Sequence, residues 1–309
     1  MWENKQKTLN KTADFLGTGL HSGKTVSMKL YPAEANTGIV FRRTDLKKNN
    51  EIKANYENVS SAKLCTKIEN DHGVSVSTIE HLMAALYICG VDNLIIKIDG
   101  GEIPIMDGSS IEFVEKIKKT GLKTLEKNRK FIKISKKIDL KLHDKSISIE
   151  PSSDSLKVAF TLSYENSPLI KSQTNCVDFK NKNLENIYSA RTFCLYEDIE
   201  KVKSLGLAKG GNLDNAVVIK GDKVLNETGL RSKNEFVNHK ILDLAGDFML
   251  AGMRIIGSVS CMHGGHLLTN EFLKKILSNK DNFVITENLE NISNLKKITP
   301  NQKRIAVNA

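Results

Sequence analysis

Histidines and carboxylates recur in this chain at spacings that suit metal binding and acid–base chemistry. His239, Asp243 and Asp247 stand at i, i+4 and i+8. On a helix they fall within about 80° of one another, stacked along one face. Their neighbours Phe236, Ile241, Leu244, Phe248 and Met249 are apolar, and a buried charge without a partner is costly. A His-x3-Asp pair offers one imidazole nitrogen and one carboxylate oxygen from adjacent turns, enough to hold two corners of a metal site. The same spacing also makes an ordinary surface stripe with an i,i+4 His–Asp pair, and this helix alone does not choose between them.

Glu80-His81 is the second signal, placed in the first turn of a segment whose remainder, LMAALYIC, is almost wholly apolar. Glu80 has a bland use, closing a capping box with Ser77. His81 has none so obvious. Joined to a ligand pair on another element, it would complete a His-His-Asp set with one position left for water, the arrangement of catalytic zinc. Glu80 would then lie beside that water as a general base. Neither standard metalloprotease signature is present: HExxH is absent, and the inverted HxxEH has Ser77 where its first histidine belongs. A third signal is His263-Gly264-Gly265-His266, read either as a polar turn or as a flexible loop presenting an imidazole to a pocket.

Gly17-Thr18-Gly19-Leu20-His21-Ser22-Gly23-Lys24-Thr25 imitates a phosphate-binding loop but has threonine at 18, where GxxxxGK[ST] requires glycine. Such a loop must also open a helix, whose amides hold the phosphate. The residues after Thr25 alternate as a strand and end at Pro32, so nucleotide hydrolysis is set aside.

The elements that position these residues read as a mixture. TVSMKLYP (25–32) and IVFRR (39–43) predict strands in a hairpin-rich sheet. A helix is expected at about 78–89, opened by a Ser77–Glu80 capping box and stopped by Gly90. Leu94 to Ile98 predicts a buried strand, and a shorter helix follows at about 109–120. The lysine-rich stretch 116–130 has no clean period and marks a domain boundary, giving domains 1–126 and 127–309. Beyond it, 131–142, 145–150 and 156–164 read as a meander. A long helix at about 233–252 opens with a Ser232–Glu235 capping box. A strand (255–261), the Gly-Gly loop and a helix (270–278) precede a polar tail from about 282. Both halves run strands, capped apolar helix, strand, helix, so the two resemble copies of one α+β unit.

Composition narrows the classes. The chain has 309 residues, 40% hydrophobic and 27% charged, which excludes collagen-like and wholly disordered classes. Lys and Arg exceed Asp and Glu by 46 to 36, asking for an anionic partner: nucleic acid, a membrane surface or a phosphorylated small molecule. Aromatics at 6% with one tryptophan leave little for stacking single-stranded nucleic acid. Five scattered cysteines without a CxxC pair argue for a reducing compartment. MWENKQKTLN has no apolar core of a signal peptide, and no apolar run reaches the ~20 residues of a spanning helix. A cytoplasmic protein is expected.

Eight segments in order carry a resemblance: GTGLHSGK (17–24), NTGIVFRR (36–43), STIEHLMAAL (77–86), EIPIMDGSS (102–110), SARTF (189–193), GLAKGGNLDNAVV (206–218), NEFVNHKILDLAGD (234–247) and GGHLLTN (264–270). Over roughly residues 8–280 the chain resembles the metal-dependent UDP-3-O-acyl-N-acetylglucosamine deacetylases of lipid A biosynthesis. The resemblance implies an α+β fold of two similar two-layer sandwich domains, packed helix face to helix face, with the active site at their interface. It implies His81, His239 and Asp243 as zinc ligands, with ferrous iron the alternative, and Glu80 as general base. His266 is implied as a protonated imidazole that stabilises the oxyanion and protonates the leaving amine, with Asp247 orienting it and Thr192 donating to the tetrahedral intermediate. Lys240 is implied at the nucleotide diphosphate and Phe193 at the sugar. Residues around 194–218 match a βαβ insertion forming an apolar passage for the acyl chain. Two positions depart from the family pattern: His263 replaces a lysine or arginine at the diphosphate, and Cys194 replaces a glycine. The implied protein is a monomer of a Gram-negative-type bacterium with a UDP-sugar substrate and no nucleic-acid partner. Its lipid-like substrate admits peripheral association with a membrane.

Overall fold

The structure is a computed structural model that describes residues 3–164 and 167–287. It is a mixed helix-and-sheet fold of the α+β type. The first sheet runs in the spatial order Ala13–Thr18, Thr25–Pro32, Leu94–Ile98, Ile39–Arg43, Glu51–Lys53. Its alternation is clean: in Thr25–Pro32 Val26, Met28 and Leu30 turn into the core while Thr25 and Ser27 are exposed and Lys29 is half-buried. The hairpin-rich reading holds for Ala13–Thr18 with Thr25–Pro32. Thr25–Pro32 and Ile39–Arg43 are not neighbours, however. Leu94–Ile98 lies between them, antiparallel to the first and parallel to the second.

Between these strands the chain forms helix α1 (Glu80–Cys89), and after them helix α2 (Ile111–Thr120). Every residue of α1 from Glu80 to Ile88 is buried, as expected of a helix apolar all round. Gly90 stops it in the left-handed conformation (φ 83°), its amide returning to Leu86 and Tyr87. The phosphate-loop lookalike is the hairpin loop between Ala13–Thr18 and Thr25–Pro32, with no helix directly after it. Leu122–Asn128 pairs with Lys5–Leu9 in a two-stranded ribbon.

The larger sheet repeats the order of the first. Arg254–Met262 inserts between Lys145–Glu150, to which it is antiparallel, and Leu156–Tyr164, to which it is parallel. Ile138–Leu142 and Lys171–Asp178 flank that trio. The expected meander is therefore broken at its centre, because pairing with a strand a hundred residues away leaves no trace in local alternation. The stretch 131–142 is also two strands: Phe131–Ile134 pairs with Arg254–Ile256 and with Phe283–Thr286. Residues 283–286, expected inside the polar tail, are thus an edge strand; the tail beyond 287 lies outside the described residues.

Helix α3 (Glu185–Tyr188) leads into a small βαβ unit in which Phe193–Leu195 and Val217–Lys220 pair in parallel across helix α4 (Tyr196–Ser204). Helix α5 (Glu235–Met249) follows, then helix α6 (His266–Leu277). Helices α1 and α5 pack directly on one another. They lie very near at Gly246, where an added Cβ would meet the Glu80 carbonyl, its carbon at 2.9 Å. Only a residue without a side chain lets the two backbones come that near.

Candidate metal centre and acid–base cluster

Helix α1 delivers Glu80 and His81 at its first turn, but no capping box forms. The N-cap is Ile79, without a side-chain bond, and Ser77 Oγ donates instead to the Gly101 carbonyl at 3.2 Å. Thr78 sits in the left-handed region (φ 58°), unusual for a β-branched residue, with its hydroxyl donating to Glu102 at 3.1 Å. The Glu80 carboxylate is thereby free of the backbone ahead of it. Its Oε2 accepts the amide of Thr66 at 3.0 Å. The second expected capping box fails similarly. The Glu235 carboxylate, fully buried, takes Arg191 Nε at 2.8 Å and Nη2 at 3.2 Å instead of reaching back to Ser232.

That Arg191–Glu235 pair fixes the strand entry beside α5, and the preceding carbonyl, Ala190, lies 3.0 Å from His239 Nδ1. A carbonyl only accepts, so Nδ1 carries the proton and the Nε2 lone pair faces inward. There it stands 3.4 Å from Asp243 Oδ1. His81 Nε2, arriving from α1, stands 3.6 Å from the same oxygen. The two imidazoles meet edge to face at 4.9 Å. Burial drives His239 down to about 3, against the pull of Asp243, so its imidazole is neutral. Asp243 is ionised: burial alone would raise its carboxyl, but the charges of Lys240 and His266 hold it well below the usual carboxylate range.

His81, His239 and Asp243 thus bring one ligand atom each to within 4.8 Å of one another, and all three are buried. Among the described residues Asp243 Oδ1 has no hydrogen-bond partner. A buried anionic oxygen facing the lone pair of a neutral imidazole is repelled unless a cation sits between them. A tetrahedral ion with bonds of about 2.0–2.2 Å keeps its ligands roughly 3.3–3.6 Å apart, which the 3.4 and 3.6 Å separations match. The donor set fits a divalent metal.

The second cluster adjoins it. His266 is not on a loop as its Gly-Gly neighbours implied; it is the first residue of α6, which begins four residues earlier than expected. Its Nδ1 bonds Asp247 Oδ2 at 3.0 Å, and its Nε2 points at Glu80 Oε1 (3.6 Å) and Asp243 Oδ2 (3.9 Å). Burial alone would lower this imidazole; Asp247, then Glu80 and Asp243, outweigh it and lift it to about 10. His266 is therefore an imidazolium at neutral pH. Glu80 is pushed upward by burial, against the opposing charges of His266 and His81.

Of the remaining expected residues, Lys240 and Phe193 adjoin this core. Lys240 Nζ pairs with Asp243 Oδ2 at 2.9 Å and lies 5.6 Å over the Phe193 ring. Phe193 packs edge-on against Phe236 and, at 6.4 Å, His239. Thr192 is pinned through its backbone, its amide donating to Gly108 and its carbonyl accepting from Val217. His263 occupies a left-handed turn (φ 55°) after the central strand, its amide donating to Thr161. No hydrogen bond joins its ring to the metal cluster among the described residues.

A family model for UDP-3-O-acyl N-acetylglycosamine deacetylase matches residues 6–278. The chain belongs to the UDP-3-O-acyl-N-acetylglucosamine deacetylase family. A relative of that name from Geobacter sp. (strain M21) is 45% identical over 91% of this chain and 92% of its own. One from Glaesserella parasuis serovar 5 is 41% identical over 90% and 91%, and one from Actinobacillus pleuropneumoniae serotype 3 is 42% identical over 93% and 95%. These are metal-dependent amide hydrolases of lipid A biosynthesis. For a deacetylase of this family, three residues were missed by sequence reasoning: Thr66, Arg191 and Ala190, the last acting through its carbonyl. Arg191 and Ala190 lie inside the quoted SARTF segment, so only their partners were hidden. Thr66, in LCTKIE, sits in no pattern that would have singled it out.

Proposed function

We propose that this chain hydrolyses the acetamide of UDP-3-O-[(3R)-3-hydroxyacyl]-N-acetylglucosamine to the free amine and acetate, with zinc held by His81, His239 and Asp243. The observation that carries the reading is the convergence of two imidazoles and a carboxylate with a second carboxylate and an imidazolium at their edge. Zinc, when bound, supplies Lewis acidity that polarises an amide carbonyl and makes water acidic near neutral pH. Glu80 is the base: its Oε1 faces the centre while Oε2 is occupied by Thr66, and burial raises its proton affinity. It takes the proton from the attacking water. His266, charged and held by Asp247, faces the oxyanion as it develops and gives its proton to the leaving nitrogen. A base and an acid on two sides of the scissile bond keep the step neutral overall.

Thr192 donates its hydroxyl to the tetrahedral carbon's oxygen, Lys240 takes the diphosphate, Phe193 stacks on the sugar, and His263 replaces the family's cation near the diphosphate. The βαβ unit around 194–218, which exposes Leu205 and Leu213, is the acyl passage. The fold is read as two similar two-layer domains, 1–126 and 127–309, meeting at α1 and α5 with the site between them. No helix among the described residues is long and apolar enough to cross a membrane; a cytoplasmic monomer is proposed.

Acetate release from the acylated UDP-sugar, with and without a zinc chelator, tests this reading. Glu80→Gln is expected to retain metal and lose most turnover, about 10²–10⁴-fold for a general base. Chelator-resistant release, or a Glu80→Gln enzyme near the wild-type rate, would overturn it.

A further inference from the structure

Thr66 is fully buried and belongs to neither cluster, yet all three of its polar groups are used at the site. Its carbonyl accepts the amide of Ile79, the residue that opens α1, at 3.4 Å. Its amide donates to Glu80 Oε2 at 3.0 Å, and its hydroxyl donates to Asp247 Oδ1 at 2.6 Å. The last bond spans 181 positions of sequence and joins the segment before α1 to the far end of the α5 stripe. Thr66 is the one residue among those described that donates to both carboxylates.

We propose that Thr66 is a positioning residue that selects which oxygen of each carboxylate is free. With Oε2 of Glu80 held, only Oε1 is left to face His266 and the metal centre. With Oδ1 of Asp247 held, Oδ2 is the atom that receives His266 Nδ1, and the carboxylate plane cannot rotate away from it. The base and the orienter of the acid are thus locked by one side chain and its own backbone. A hydroxyl 2.6 Å from a carboxyl oxygen is a short, strong bond, and its loss frees a torsion that sets the direction of the His266 ring. The inference rests on the roles proposed above for Glu80, Asp247 and His266.

The test is a double-mutant cycle read as acetate release, with bound metal and melting temperature measured on each variant. Thr66→Val, close in shape but without the hydroxyl, is expected to lower kcat by about 10–100-fold, the usual cost of removing a supporting hydrogen bond at such a site. KM and metal content should stay at wild-type values, and Thr66→Ser should restore turnover. In an Asp247→Asn background the same Val substitution should change kcat by less than about twofold, because its partner is already impaired. Should Thr66→Val fail to fold, Thr66→Ala gives the same comparison. A Thr66→Val enzyme at full rate, or a loss that multiplies with that of Asp247→Asn, would overturn the inference while leaving the catalytic reading intact. An Asp247→Asn enzyme at the wild-type rate would instead overturn the catalytic reading on which it rests.

Discussion

Gly246 is the point at which packing and chemistry are most tightly tied. An added methyl would lie 2.9 Å from the Glu80 carbonyl carbon and 3.2 Å from the Ala84 amide nitrogen. Relaxed carbon contacts need about 3.5–4.0 Å, and the Glu80 carbonyl oxygen lies nearer still, so α1 and α5 must part by about 1 Å or more. Both contacts are helix backbone, with no flexible side-chain end to give way. Intrinsic helix propensity favours Gly246→Ala by about 0.8–1.0 kcal/mol, whereas overpacking a tight core costs about 1–3 kcal/mol. The overpacking wins, and the melting temperature should fall by a few degrees. Activity is the sharper readout. Glu80 and His81 ride on α1, while His239, Asp243 and Asp247 ride on α5. A displacement near 1 Å at reacting groups costs about 10²-fold in rate. The variant should therefore lose about 10²-fold in kcat for acetate release and bind zinc more weakly in a competition titration with a chromophoric chelator. A Gly246→Ala enzyme that melts lower but binds zinc and turns over like wild type would show that the helix contact does not set the site geometry.

Two further perturbations separate the ligand set from its support. His239→Ala should lower zinc stoichiometry after chelator treatment and dialysis, measured by atomic emission; unchanged stoichiometry would remove His239 from the set. Arg191→Lys keeps the charge but not the two-pronged bond to Glu235, leaving a fully buried carboxylate short of donors at a cost of about 1–3 kcal/mol. Because Ala190 adjoins Arg191 and orients His239, zinc affinity should fall together with the melting temperature by calorimetry. A lower melting temperature with unaltered zinc affinity would detach that pair from the metal centre.

The residues proposed to do chemistry were legible because their types and spacings are restrictive. His239, Asp243 and Asp247 share a helical face by arithmetic alone, and Glu80-His81 at the head of an apolar helix stands out against its neighbours. The strands announced themselves by period two and α1 by its unbroken apolar run. Helix starts were the weak point. Ser77–Glu80 and Ser232–Glu235 have the capping-box pattern, yet both glutamates are drawn elsewhere, Glu80 to Thr66 and Glu235 to Arg191. At Glu235 the tertiary partner offers a buried carboxylate a charged, two-pronged donor; at Glu80 it offers a buried amide, with the His266 imidazole 3.6 Å from the other oxygen. His266 was displaced from loop to helix for a similar reason, its imidazole held by Asp247 on another element.

The composition of the site was therefore set by the sequence itself: which groups are basic, which are acidic, and which pairs can lie one helical turn apart. Tertiary structure decided everything that depends on distance across the chain. It brought His81 within reach of Asp243 through the glycine-sized gap at Gly246, and chose the protonated nitrogen of His239 through Ala190. It made one buried histidine neutral and another cationic, though free imidazoles are alike, because His239 has one carboxylate near it and His266 has three. Local sequence carries periodicity and chemical type; burial and long-range charge appear only once strands and helices more than a hundred residues apart have packed.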